Sequence, residues 1–171
     1  MSTTNIDTTK VSPTLGIKIG NPDAPNTLIE YVNLRCPYCK QWWDEKYQLI
    51  ASEVSEGNLH YVIKLFDKQN PVLAPGNVMH QYVPNNETAV DVISKIYDTQ
   101  DDWGHLPTDE DVAHYAEHTL GLVKQQYSSM LNDIVIEAEQ ANVRFVPTLI
   151  VDDVDFDQKI SSEDFLSLFK K

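Results

Sequence analysis

Thr27-Leu28-Ile29-Glu30-Tyr31-Val32-Asn33-Leu34-Arg35-Cys36-Pro37-Tyr38-Cys39-Lys40-Gln41-Trp42-Trp43 is the stretch that decides the fold, because two kinds of structure meet in it. Residues 27–33 form a short run rich in β-branched and aromatic side chains, which predicts a buried strand. From Lys40 to Ile50 there is neither Gly nor Pro, which predicts a helix. The chain's only two cysteines, Cys36 and Cys39, therefore sit where a strand hands over to a helix.

That placement has chemical consequences. The first turn of a helix leaves backbone N–H groups unpaired and concentrates partial positive charge. A thiolate at Cys36 would accept from those groups, and Arg35 adds a full charge beside it. Both effects lower a thiol pKa, to roughly 3.5–7.5 in such Cys-X-X-Cys sites against about 8.5 for a free thiol. Pro37 suits the first helical turn, where its missing N–H would have no partner anyway. Cys39 lies one turn further in, so Cys36 is expected to attack and be attacked while Cys39 resolves. A structural disulfide or a pair of inert core thiols is the plainer alternative.

With 171 residues the chain is one domain, or one domain with an insertion, large enough for a real core. A formal net charge of −13 argues against nucleic acid and anionic membrane surfaces as partners. There is no transmembrane run, and residues 1–10 lack the apolar stretch of a signal peptide. A cytoplasmic location is expected, or else export with the signal already removed. Two cysteines in a reducing compartment point to catalysis rather than to a scaffold.

Working outward, residues 16–20 read as a short edge strand and 21–26 as a Pro-rich turn. The helix after the cysteines is expected to end near Gly57, and 59–65 is a second strong strand, which completes a βαβ unit with parallel pairing. Helical spacing then recurs at Ala89, Val92, Ile93, Ile96 and Tyr97, at Val112, Tyr115, Ala116 and Leu120, and at Leu131, Ile134, Val135 and Ala138. Thr108 with Asp111 resembles a capping box. Sheet character returns at 145–151, a weak strand follows near 156–160, and Ser161 and Ser162 introduce a last helix. The expected organisation is a sheet domain of 14–66 plus 143–171, a helical insertion at 67–142, and a flexible N-terminus at 1–13.

Three more residues carry chemistry. Pro147 opens a strand, where it is tolerated, either as an ordinary trans proline or as a cis one. In the cis form it would turn the Val146 backbone outward to pair with an extended substrate. Glu30 and Lys64 are charged residues inside strands. They either point inward and pair, relaying protons to Cys39, or face solvent; alternation alone does not decide.

With these residues in hand, the chain resembles the DsbA-like branch of the thioredoxin superfamily. The resemblance rests on residues 20–25, on Glu30 through Cys39, on Lys64, on the helical insertion and on Val146-Pro147-Thr148. It implies an α/β thioredoxin fold, a central mixed sheet flanked by helices, with an inserted helical domain. It implies a protein-disulfide oxidoreductase in which Cys36 is the exposed nucleophile, Cys39 the buried partner and Pro147 cis. Glu30 and Lys64 would then handle protons, while Val146, Pro37 and Tyr38 contact substrate. Its partners would be protein or peptide thiols and disulfides and a redox recycling partner, with no cofactor beyond the Cys36–Cys39 pair. Two departures stand out: there is no export signal, and Val151-Asp152-Asp153-Val154 replaces the usual Asn-Gly turn.

Other readings are weaker. His114-Tyr115-Ala116-Glu117-His118 matches the H-x-x-E-H pattern of one zinc protease group, but both histidines fall opposite the apolar stripe, toward solvent. A zinc site at the cysteines would need two further ligands at suitable spacing, and none stands out. A non-catalytic binding module on the same scaffold is the alternative function, though it would have little need for both thiols.

Overall fold

The computed structural model describes residues 5–126 and 128–170. Strand β1 (Ile17–Ile19) precedes β2 (Asn26–Val32), which leads into helix α1 (Pro37–Ser55) and then β3 (Leu59–Leu65). β2 and β3 run parallel with Leu28 opposite Tyr61, Glu30 opposite Ile63 and Tyr31 opposite Lys64. α1 is the crossover that such a pairing requires. The turn beyond α1 uses Gly57 at φ +80°, a conformation costly to any residue with a Cβ. β4 (Thr148–Val151) adds antiparallel to β2, and β5 (Val154–Phe156) antiparallel to β4. The sheet order is β1-β3-β2-β4-β5, with β1 antiparallel to β3.

Both faces of this mixed sheet are covered, so the inner strands are apolar almost throughout rather than alternating. Alternation instead sorts residues between two cores. Leu28, Val32, Tyr61, Ile63, Leu65, Leu149 and Val151 face one side; Ile29, Tyr31, Val62 and Ile150 face the other. On the first side Trp42 of α1 packs on Phe156 and Phe165, with ring centroids 5.8 and 5.5 Å away. A tryptophan burying about 200 Å² contributes roughly 5 kcal/mol before entropy, at about 25 cal/mol per Å². Phe165 comes from α7 (Ser162–Ser167), whose first turn is capped by the Ser161 hydroxyl accepting from Asp164 N.

Between β3 and β4 lie α2 (Ala74–His80), α3 (Ala89–Asp98), α4 (Gln100–Trp103) and α5 (Asp109–His114), the last running into a π-helical turn at Tyr115–Thr119. Thr108 caps α5 by accepting from Asp111 N. The buried stripe of α3, with Ile93, Ile96 and Tyr97, joins the core on the α1 side. α6 (Ser128–Gln140) behaves differently. It falls inside the stretch 67–142 expected to form the insertion, yet Ile134 and Ala138 pack on Ile29, Tyr31 and Val62, on the opposite sheet face.

Residues 1–13 are expected to be flexible, but from residue 5 the chain is tied to the end of α6. Asp7 N donates to Ala141 O at 2.9 Å, Asn142 Nδ2 donates to Asn5 O at 3.1 Å, and Ile6 and Val11 pack on the α6-side core. Residues 1–4 lie outside the described residues.

Candidate active site

Cys36 is the N-cap of α1, extended at φ −68° and ψ 123°, and Pro37 takes the first helical position. Lys40 N donates to Cys36 O at 3.1 Å and closes the first turn. One turn along, Cys39 approaches Cys36 to 3.5 Å, and both are free thiols. The expected contrast between an exposed Cys36 and a buried Cys39 is small by area: 5% against 0% exposed. The loop before β4 accounts for this. Because β4 pairs with β2, residues 146–147 arrive beside the cysteines, and Cys36 Sγ donates to Val146 O at 3.7 Å. The Val146–Pro147 bond is cis, which resolves the two options the sequence leaves open. Pro37 is exposed, and Tyr38 and Phe145 are more than half exposed beside the thiols. A shallow depression of about 510 Å³ runs from Pro37 and Tyr38 along the outer face of α1 to Asp44 and Glu45.

The two sulfurs are strongly unlike. Cys36 is lowered to about 6, chiefly by a hydrogen bond from the Cys39 thiol, against an opposing effect of burial. The amides of Cys39 and Tyr38 help, as the helix start predicts. The Arg35 charge, given weight in the sequence, comes last of the causes; its guanidinium Nε is committed to Gly104 O at 2.9 Å. Cys39 is pushed well above its ordinary value by burial first and by the neighbouring Cys36 second.

Glu30 and Lys64 do not pair, which corrects the sequence reading. In the parallel register Glu30 stands opposite Ile63 while Lys64 stands opposite Tyr31, so the two side chains leave the sheet on opposite faces. Glu30 lies under α1, where Tyr61 Oη and Trp42 Nε1 both donate to its Oε1, the latter at 3.3 Å. Burial outweighs these bonds and raises its pKa to about 7. Trp42 is one turn along α1 from Cys39, so this carboxyl sits beneath the buried thiol. Lys64 instead meets Glu137 of α6, Nζ to Oε1 at 2.5 Å, and donates to Ser12 O at 2.6 Å. Tyr31 Oη donates to the same Glu137 oxygen at 2.5 Å. Burial pulls the Lys64 pKa down and Glu137 works against it.

Several residues that the sequence reading passed over hold the loop before Cys36. Asn33 Oδ1 accepts from Arg35 N at 2.9 Å, and its Nδ2 donates to Asn77 Oδ1 at 3.0 Å and Phe66 O at 3.2 Å. Leu34 N donates to His80 Nε2 at 3.1 Å, and His80 Nδ1 lies 2.7 Å from Asp67 Oδ1. Gln100 Nε2 donates to Leu34 O at 2.8 Å and Cys36 O at 3.3 Å. The usable signal was a set of polar residues, Asn33 after β2, His80 at the end of α2 and Gln100 at the start of α4, which once buried must find partners.

His114 and His118 are exposed and stack on each other, ring centroids 4.2 Å apart. Among the described residues no three His, Cys, Asp or Glu side chains are grouped to hold a metal ion. Among the same residues no helix is long and apolar enough to cross a membrane.

A thioredoxin family model matches residues 13–171. No curated protein matches the chain. Among solved structures, a conserved protein of unknown function from Enterococcus faecalis V583 is 41% identical, with a TM-score of 0.92 over 95% of this chain and 94% of that one. Chlamydia trachomatis DsbA is 16% identical, with a TM-score of 0.66 over 98% and 95% of the two chains. Oxidised BdbD from Bacillus subtilis is 12% identical, with a TM-score of 0.60 over 96% and 94%.

Proposed function

The chain belongs to the thioredoxin family, and from that membership we propose that it is a thiol–disulfide oxidoreductase of the DsbA-like kind. The observation that carries the proposal is the unequal pair: Cys36 held near 6 and Cys39 pushed well up, 3.5 Å apart at the start of one helix. A nucleophile that ionises below neutrality beside a protonated resolving thiol is the division of labour disulfide exchange needs.

In the reducing direction the Cys36 thiolate attacks one sulfur of a substrate disulfide. A mixed disulfide forms at Cys36 Sγ, and the substrate's other sulfur leaves as thiolate and takes a proton from water. Cys39 then gives up its proton and attacks Cys36 Sγ. The Cys36–Cys39 disulfide forms, the second substrate thiol leaves, and two electrons have passed from the protein to the substrate. In the oxidising direction the steps run backwards, and in either direction a dithiol or disulfide recycling partner restores the pair. Glu30, beneath Cys39 with a pKa near 7, is the group we assign to take and return the Cys39 proton. Pro37, Tyr38 and the backbone of Val146 flank the sulfur from both sides and would meet an extended protein or peptide substrate.

Turnover of a fluorescence-quenched peptide disulfide with a thiol reductant tests this reading. Cys36→Ser is expected to abolish turnover, and Cys39→Ser to accumulate a mixed disulfide at Cys36 that mass spectrometry of the intact protein detects. Wild-type turnover in Cys36→Ser would end the proposal.

A further inference from the structure

The loop carrying Cys36 is held by side chains that come from outside the strand–helix unit. Leu34, two residues before the nucleophile, has both backbone polar groups taken by buried side chains of the helices that follow β3. Its N–H donates to His80 Nε2 at 3.1 Å, and its C=O accepts from Gln100 Nε2 at 2.8 Å. Gln100 also reaches Cys36 O at 3.3 Å. His80 is the last residue of α2 and Gln100 the first of α4; they are 0% and 3% exposed. A backbone N–H can only donate, so Nε2 is the acceptor nitrogen of His80 and Nδ1 carries the hydrogen that faces Asp67 Oδ1 at 2.7 Å. Asp67 lies just after β3 and thus anchors the imidazole to the sheet. A carboxylate that orients an imidazole, which in turn fixes a third group, is a recurrent way of holding one tautomer and one ring orientation.

We propose that His80, held by Asp67, is a positioning residue for Cys36, and that Gln100 completes the grip by taking the carbonyl of the same Leu34. The inference deepens the oxidoreductase reading and rests on it for its biological meaning. Its physical content is that the low pKa of Cys36 needs the sulfur to stay within reach of the side chain at position 39 first and of the amides of Cys39 and Tyr38 next. A Leu34 that swings free would let the N-cap residue drift from the helix start, and the thiolate would lose those donors. Helices α2 and α4 are thereby tied to the cysteine pair through the backbone that leads into it.

The test is the pH profile of Cys36 alkylation by iodoacetamide in Cys39→Ser protein, compared across substitutions at His80. His80→Leu fills the space and removes the acceptor; His80→Gln keeps an acceptor at the place of Nε2. His80→Leu is expected to move the midpoint upward by about one pH unit, a tenfold loss of thiolate below it. His80→Gln is expected to stay within about threefold of the parent, since a side-chain oxygen replaces the ring nitrogen. A folded His80→Leu protein with the parent's profile would overturn the proposal. Should that variant fail to fold, Asp67→Ala at its partly exposed position carries the same upward expectation, and an unchanged profile there overturns it equally. Because alkylation reads the sulfur directly, loss of peptide-disulfide turnover in the wild type would remove the oxidoreductase reading while leaving this result standing.

Discussion

Glu30 and Lys64, buried on neighbouring strands, leave the sheet on opposite faces, so the first lies beneath α1 and its two cysteines and the second beneath α6. Glu137 is the true partner of Lys64, and Tyr31 and Ser12 complete its surroundings.

A structural role for Lys64 follows. Glu137→Ala would leave a buried ammonium without its carboxyl and should destabilise the fold by about 3–5 kcal/mol. Lys64→Met with Glu137→Gln, which removes both charges together, should cost far less. Urea unfolding of the three proteins checks this. Peptide-disulfide turnover of the folded double variant should equal that of the wild type; a large drop would return Lys64 to the proton path.

Glu30 gives a pH dependence of definite sign. Its folded pKa of about 7 is raised above the model-peptide value of 4.5. The folded state therefore holds the proton more tightly than the unfolded one, and stability falls as pH rises from about 4.5 to about 7. A shift of this size corresponds to roughly 3 kcal/mol across the window. Glu30→Gln should flatten that fall, measured by urea unfolding at pH 4.5, 6 and 7.5 in a Cys36→Ser background, where the thiolate makes no contribution. Equal pH slopes with and without Glu30 would contradict the assignment.

The Cys36 sulfur works in the other direction. A folded pKa lowered from 9.0 to about 6 gives stability that is complete above pH 9 and is lost as pH falls through 6. The reduced protein should thus gain on the oxidised one by roughly 1 kcal/mol at pH 7, and by more at pH 9. Thiolate absorbance at 240 nm should titrate near pH 6 in the wild type and vanish in Cys36→Ser. Preferential stability of the reduced form would make a Cys36–Cys39 disulfide the more oxidising, so a redox titration of the couple should move to lower potential in a variant that raises the Cys36 midpoint.

The strand-to-helix passage at Cys36 and the parallel β2–β3 pairing were legible because each is local: strand-forming residues before the cysteines, an unbroken helical run after them, and the strand of residues 59–65 beyond. The faces of Glu30 and Lys64 were not. Both strands are apolar on both sides, and only the inter-strand register, a non-local fact, assigns the parity. The stripe of Ile134 and Ala138 likewise announces a helix without saying which surface covers it. Nor does any local pattern show His80 meeting Leu34, 46 residues earlier.

Gly76 supplies the last prediction. It lies in α2 where that helix rests on the loop before Cys36, and a Cβ there would stand 1.9 Å from Asn33 Oδ1 and 2.7 Å from Arg35 N. Those are the two atoms that bond each other at 2.9 Å and shape the turn into Cys36. In an ordinary exposed helix, Gly→Ala gains up to about 1 kcal/mol from propensity. Here overpacking should reverse the sign, for a net loss of about 1–3 kcal/mol. Displacing Asn33 should also disturb the position of Cys36, so Gly76→Ala is expected to raise the alkylation midpoint of Cys36 along with lowering Tm. Gly57→Ala makes the control: beyond its chain neighbours no heavy atom of the described residues lies within 4 Å of its Cβ position, and its strain comes from φ +80°. It should lower Tm without moving the midpoint, and a shift as large as that of Gly76→Ala would mean that loss of stability by itself perturbs the sulfur.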